Sequence, residues 1–116
     1  MTGFPANVRK IITEREGGRC ASCGALILGG GHIHHRHPRK AGGNKTARVN
    51  GPANGVHVCW ACHDLIEHNR AWARVYGYLI PEWPDGIEPC QAQILYRDEW
   101  VLLDDDGMIN TLQEGT

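Results

Sequence analysis

No stretch of the 116 residues approaches the run of about 18 apolar side chains that a membrane-spanning helix needs. The first ten residues, MTGFPANVRK, carry no apolar core of the kind found in a secretory signal. These two features lead to the expectation of an unexported, soluble, cytoplasmic protein. Glycine and proline, at 15 and 6 residues, are too few for a collagen-like repeat, and a hydrophobic share of 41% speaks against wholesale disorder. The length supports one modest core but hardly two, so residues 1–116 read as a single domain. Net charge is also scarce. A balance of −1 looks wrong for a nucleic-acid binder, but the total conceals a dipole. Residues 1–50 carry +7 and residues 51–116 carry −8, which implies one basic face and one acidic tail.

Cysteine is present in a pattern. Cys20 and Cys23 form one C-x-x-C pair, Cys59 and Cys62 a second, with 35 residues between them. In a reducing compartment, paired C-x-x-C motifs read as a zinc site rather than as disulfides. Each pair chelates through two thiolates, and four thiolates close a tetrahedral structural zinc. A redox C-x-x-C does not explain why the motif occurs twice. Cys90 is left over and is expected to be a small buried hydrophobe.

Local patterning predicts a small α+β fold. Pro5 to Glu16 reads as a helix stopped by Gly17-Gly18. Ala25 to Leu28 reads as a short strand, with a turn at Gly29 to Gly31 and a returning strand from His32 to His37. Arg39 to Gly55 is a polar, basic loop. Val56 to Cys59 is a brief apolar lead-in to the best helix, Trp60 to about Tyr76, ended by Gly77. Gln91 to Leu103 reads as a hairpin turning near Arg97-Asp98, within a C-terminal extension spanning about 90–110. Asp104 to Gly107 is another turn, and the last residues are expected to fray.

Four of seven histidines fall within Gly31-His32-Ile33-His34-His35-Arg36-His37-Pro38. Such clusters bind metal or move protons. On a strand His34 and His35 point to opposite faces, so one can hold an ion while the other faces a substrate. His32 and His37 are expected to be solvent-exposed strand residues. His63 sits in the first turn of the long helix, and Glu67 follows at i+4, so both can reach one cation. A zinc at Cys59 and Cys62 would fix where that helix begins and hence where His63 points.

The order Cys-x-x-Cys, His-His-Arg, a Gly/Asn-rich loop with Asn54, then Cys-x-x-Cys-His resembles the HNH endonucleases. The resemblance spans roughly residues 17–76, with Ile33-His34-His35-Arg36 and the basic loop especially similar to small phage and bacterial members. Residues 100–107, Trp-Val-Leu-Leu-Asp-Asp-Asp-Gly, also resemble the C-terminal end of those proteins. The resemblance implies a ββα-metal, treble-clef-like core holding one catalytic divalent cation beside the structural zinc. It assigns His34 and His63 to the metal, His35 to proton abstraction, and a middle Asn to pinning the loop between ribbon and helix. Asn54 lies nine residues before His63, the spacing the family favours, with Asn50 and Asn44 as competitors. Some members carry a further His one turn after the second ligand. Here Glu67 stands there with His68 beside it, and a carboxylate serves chemically.

Phosphodiester hydrolysis needs an activated water, charge stabilisation at phosphorus and help for the leaving oxygen. A neutral imidazole suits the first task, and a divalent ion the other two. Mixed imidazole and carboxylate ligation accepts Mg2+, Mn2+, Ni2+ or Zn2+. Arg36, Arg39, Lys40, Lys45 and Arg48 are positioned to neutralise DNA phosphates. Nothing resembles a base-reading helix, so little sequence specificity is expected. The resemblance further suggests nicking or cutting of duplex DNA in the host cytoplasm, with a phage terminase as partner in packaging, or else restriction of foreign DNA. The competing readings are a non-catalytic zinc-ribbon nucleic-acid-binding module and a phage assembly module with a decayed nuclease core.

Overall fold

The structure, a computed structural model, describes residues 3–38, 50–80 and 87–112. Helix α1 spans Ala6–Glu16. It starts after Pro5 and stops at Gly17, which enters the left-handed region (φ 66°) and donates its N–H to the Thr13 carbonyl. Its inner face presents Ile12 to strand β2, Gly55–Val58. The approach is close: a Cβ at Gly55 would lie 2.5 Å from Ile12 Cδ1 and 2.8 Å from the Phe4 ring, so only glycine fits. The last turn of α1 carries a buried ion pair. Arg15 forks onto both Glu16 oxygens at 2.8 Å and also donates to the carbonyls of Pro52 and Gly55. Glu16 in turn accepts the His57 N–H and the Tyr96 hydroxyl. Every charge in this node has partners, which is what makes its burial tolerable.

Strand β1, His32–His35, is expected from the sequence, but its partner is not. Ala25 to Leu28 fold backward instead. Cys20 N–H donates to the Ala25 carbonyl and Ile27 N–H to that of Gly18, with an isolated bridge between Arg19 and Leu26. Leu26 and Leu28 are left exposed, so this stretch is no core strand. β1 pairs antiparallel with β2, His32 opposite Val58 and His34 opposite Val56. β1 also ends at His35 rather than His37.

The long helix is two helices. α2 spans Trp60–His68 and α3 spans Arg70–Val75. Asn69 between them leaves helical geometry (φ −137°, ψ 69°), and Asn disfavours a helix interior because its side chain competes for backbone partners. The predicted C-terminal hairpin forms as β3, Ile94–Tyr96, and β4, Glu99–Leu103, turning at Arg97 and Asp98, both with positive φ. Ile109–Thr111, in the stretch expected to fray, adds β5 to the β4 edge.

The architecture is therefore small α+β with two antiparallel sheets, β1-β2 and β3-β4-β5. Val56, Val58, Ile66, Ala73, Tyr78, Ile94, Val101 and Leu103 form the core between them. Cys90 packs against it half-buried. Among the described residues no helix is long and apolar enough to cross a membrane.

Candidate metal centres

Cys20 and Cys23 lie in the loop after α1, and Cys59 and Cys62 bracket the start of α2. The fold brings all four together, with sulfurs within 4.8 Å of one another and Cys23 Sγ 3.9 Å from Cys59 Sγ. Burial raises the Cys20 thiol, but backbone N–H groups, including those of Ser22 and Cys23, outweigh it and hold the pKa below the ordinary value. Burial and the Cys20 sulfur beside it push Cys62 the other way. Four clustered thiols cannot all ionise without a cation among them, and this donor set is compatible with a structural zinc.

A second cluster forms one turn along α2. Donor atoms of His34, His63 and Glu67 also lie within 4.8 Å of one another, with His63 Nε2 3.7 Å from Glu67 Oε2. β1 supplies His34 and α2 the other two. His34 is 4% exposed, and its Nε2 meets the Tyr78 carbonyl at 2.6 Å. That bond requires an Nε2 proton, so the lone pair is left on Nδ1, the usual arrangement for an imidazole ligand. Burial, offset in part by the Tyr78 carbonyl, brings the His34 pKa down to about 4, so the ring is neutral at physiological pH. Two imidazoles and a carboxylate fit a divalent cation and leave coordination positions over for other ligands.

His34 and Glu67 of this cluster line a cleft of about 290 Å³ together with His35. The His35 ring stacks on Phe4 with centroids 4.0 Å apart and planes 9° off parallel. Asn54 is fully buried and acts as a side-chain strand. Its Oδ1 accepts the His37 N–H at 2.7 Å, its Nδ2 donates to the His37 carbonyl, and its own carbonyl accepts the Arg36 N–H. The chain leaving β1 is thereby fixed to the turn that enters β2.

Arg36 does not face a phosphate. It is wholly buried, and its guanidinium donates to the carbonyls of Gly77, Ala53, Pro89 and Ala92. Burial lowers its pKa to about 9, so it stays charged at neutral pH with carbonyl dipoles as its counterpart. It ties β1 to the C-terminal segments. Arg39, Lys40, Lys45 and Arg48, the other expected phosphate contacts, lie outside the described residues. His37 is also buried, contrary to expectation, and among the described residues neither ring nitrogen has a hydrogen-bond partner.

Two cleft residues escaped the sequence reading. His32 lies only half-exposed, its ring 4.0 Å from that of His63. The signal was available: His32 and His34 are two apart on one strand and share a face. Arg70 opens α3 and lines the same cleft, with no hydrogen-bond or ion-pair partner among the described residues. No pattern in the sequence separates it from an ordinary surface arginine. No protein-family model, curated protein or solved structure matches the chain.

Proposed function

We propose that this chain is an HNH-type endonuclease that hydrolyses DNA phosphodiester bonds, with β1, β2 and α2 as its ββα-metal core. One observation carries the reading. Donor atoms of His34, His63 and Glu67 converge from two elements, and His34 and Glu67 line a cleft together with His35. His34, His63 and Glu67 would hold a divalent cation, which when bound would supply Lewis-acid stabilisation to phosphodiester cleavage.

The chain's own residues do the rest. His35 takes the proton of the attacking water at a ring nitrogen, its ring held in place by Phe4. His34 keeps the Nδ1 lone pair available to a metal because the Tyr78 carbonyl accepts the Nε2–H. Asn54 fixes the backbone just past His35 and so sets the direction of that ring. Arg70 offers a cation to a non-bridging phosphate oxygen. A terminase partner and a place in DNA packaging rest on the family resemblance alone.

Nicking of supercoiled plasmid by wild type and His35→Ala, with Mg2+, Mn2+, Ni2+ or excess EDTA, tests the proposal. Metal-dependent nicking that His35→Ala abolishes, while zinc content stays unchanged, is the expected result. A wild-type protein that holds one zinc per chain yet fails to nick with every one of these metals would overturn it in favour of a non-catalytic nucleic-acid-binding module.

A further inference from the structure

Trp60 begins α2 between two zinc-cluster cysteines, yet its side chain does not join the core. Val58, Cys62 and Ile66 take the buried positions around it, while Trp60 is 55% exposed. A tryptophan left in solvent forgoes the large apolar burial that usually justifies it. Its ring lies beside the cleft residues instead, with its centroid 5.9 Å from both His32 and His63. The planes meet at 43° and 80°, so neither contact is a parallel stack, and more than half of the residue stays open. Three aromatic rings thus lead from the rim of the protein to a residue of the second cluster.

We propose that Trp60 is a stacking platform for an unstacked base next to the scissile phosphate, and that single-stranded or locally unpaired DNA is the preferred substrate. The inference rests on the nuclease reading and specifies its substrate. Successive nucleotides along one stacked strand are spaced by about 3.4 Å. A ring 5.9 Å from His63 therefore lies within one or two nucleotide steps of a phosphate held at that cluster. A base in an intact duplex is already paired and stacked on both neighbours, so it must be unstacked before the indole can receive it. An unpaired strand offers its π-face directly, and such stacking is indifferent to base identity. The same residue also satisfies the expectation of weak sequence specificity.

The test is fluorescence anisotropy with labelled dT12 and a labelled blunt 12-base-pair duplex. The zinc-loaded full chain is used without added divalent ion. Wild type, Trp60→Ala, Trp60→Leu and Trp60→Phe are compared at matched zinc content. Loss of stacking should weaken dT12 binding about tenfold in the Ala and Leu variants. Duplex binding should stay within about twofold, and Phe should recover most of the loss on dT12, since it restores a π-face. A purely structural Trp60 would weaken both probes alike, and that result, or unchanged dT12 binding in Trp60→Ala, overturns the proposal. Plasmid nicking on the same preparations separates the two readings. Nicking that depends on His35 with dT12 binding indifferent to Trp60 removes the platform and keeps the nuclease. A wild type that neither binds either probe nor nicks removes both.

Discussion

Four sulfurs meet at the start of α2, and two imidazoles and a carboxylate meet one turn further on, yet the two clusters are held by different means. Around the sulfurs the chain supplies backbone N–H groups to Cys20, and Cys20 and Cys62 also sit in the apolar core. Arg97 reaches across from the β3-β4 turn to the carbonyls of Glu16, Arg19 and Cys20, steadying the loop without touching a donor. The four sulfurs are a donor set that a zinc would cross-link. Around His34 the fold is locked by its own hydrogen bonds. The Tyr78 carbonyl orients the ring, Asn54 clamps the residues just after the strand, and Arg36 gathers four carbonyls from three segments. On the proposed reading, a zinc at the first cluster would make structure, whereas the second is held by the protein's own hydrogen bonds, so that an ion and a substrate could come and go there without unfolding it.

The largest expected effect follows from that contrast. A structural zinc contributes binding free energy of about 10–16 kcal/mol, as much as the whole stability of a typical domain. Cys62→Ala, or stripping the zinc with a strong chelator, should abolish the cooperative thermal transition seen by circular dichroism. His63→Ala, one residue away, should keep one zinc per chain and melt within a few degrees of wild type. It should lose binding of Mn2+ measured by calorimetry. If both variants unfold, or both fold, the division of labour between the clusters is wrong.

Arg36 gives the next largest effect. Arg36→Met removes the buried cation and leaves four carbonyls without their donor, at a cost of about 3–5 kcal/mol. For a domain of this size that is a fall of roughly 10–20 °C in melting temperature. Arg36→Lys should recover little, because an ammonium is a point charge and cannot reproduce the planar fork. Zinc stoichiometry should be unchanged in both, since Arg36 serves the other cluster. An Arg36→Met protein with wild-type stability would mean that the His34 side is not held as described.

The sequence made some of these features legible and concealed others for physical reasons. The thiolate cluster was readable because chelation imposes a spacing that survives in one dimension. His63 and Glu67 were readable together because helical periodicity puts them on one face, whereas the choice of His34 over His35 rests on the family resemblance, and the hairpin at Arg97-Asp98 was readable because its flanking runs are apolar. The partner of β1 was hidden. Three glycines after an apolar run imitate a hairpin turn, and only the three-dimensional knuckle shows that Ala25 to Leu28 fold back on Gly18 to Cys20. Arg36 was hidden more deeply. An arginine among histidines reads as surface charge, and its four acceptors come from residues 17 to 56 positions away.

The smallest effect probes how far the support of the second cluster extends. Asp104 Oδ1 accepts the N–H groups of Asp106 and Met108, and Oδ2 accepts from Asn110. This ordered turn presents Asp105, whose carboxylate takes the N–H of Ala53 beside Asn54. The Met108 and Asn110 hydrogen bonds hold the Asp104 carboxyl below its ordinary value of 3.8. A depressed carboxyl stabilises the fold above its unfolded pKa, and the contribution is lost as pH falls through the folded one. Asp104→Asn mimics the protonated state at pH 7 and should lower the melting temperature by about 1–3 °C, the scale of one exposed turn. The gap should persist from pH 8 down to pH 5, since the carboxylate stays ionised throughout that range. A carboxyl NMR titration of the wild type with an Asp104 midpoint at or above 3.8, or a gap that closes already at pH 5, would show that the turn contributes nothing to the ground on which Asn54 stands.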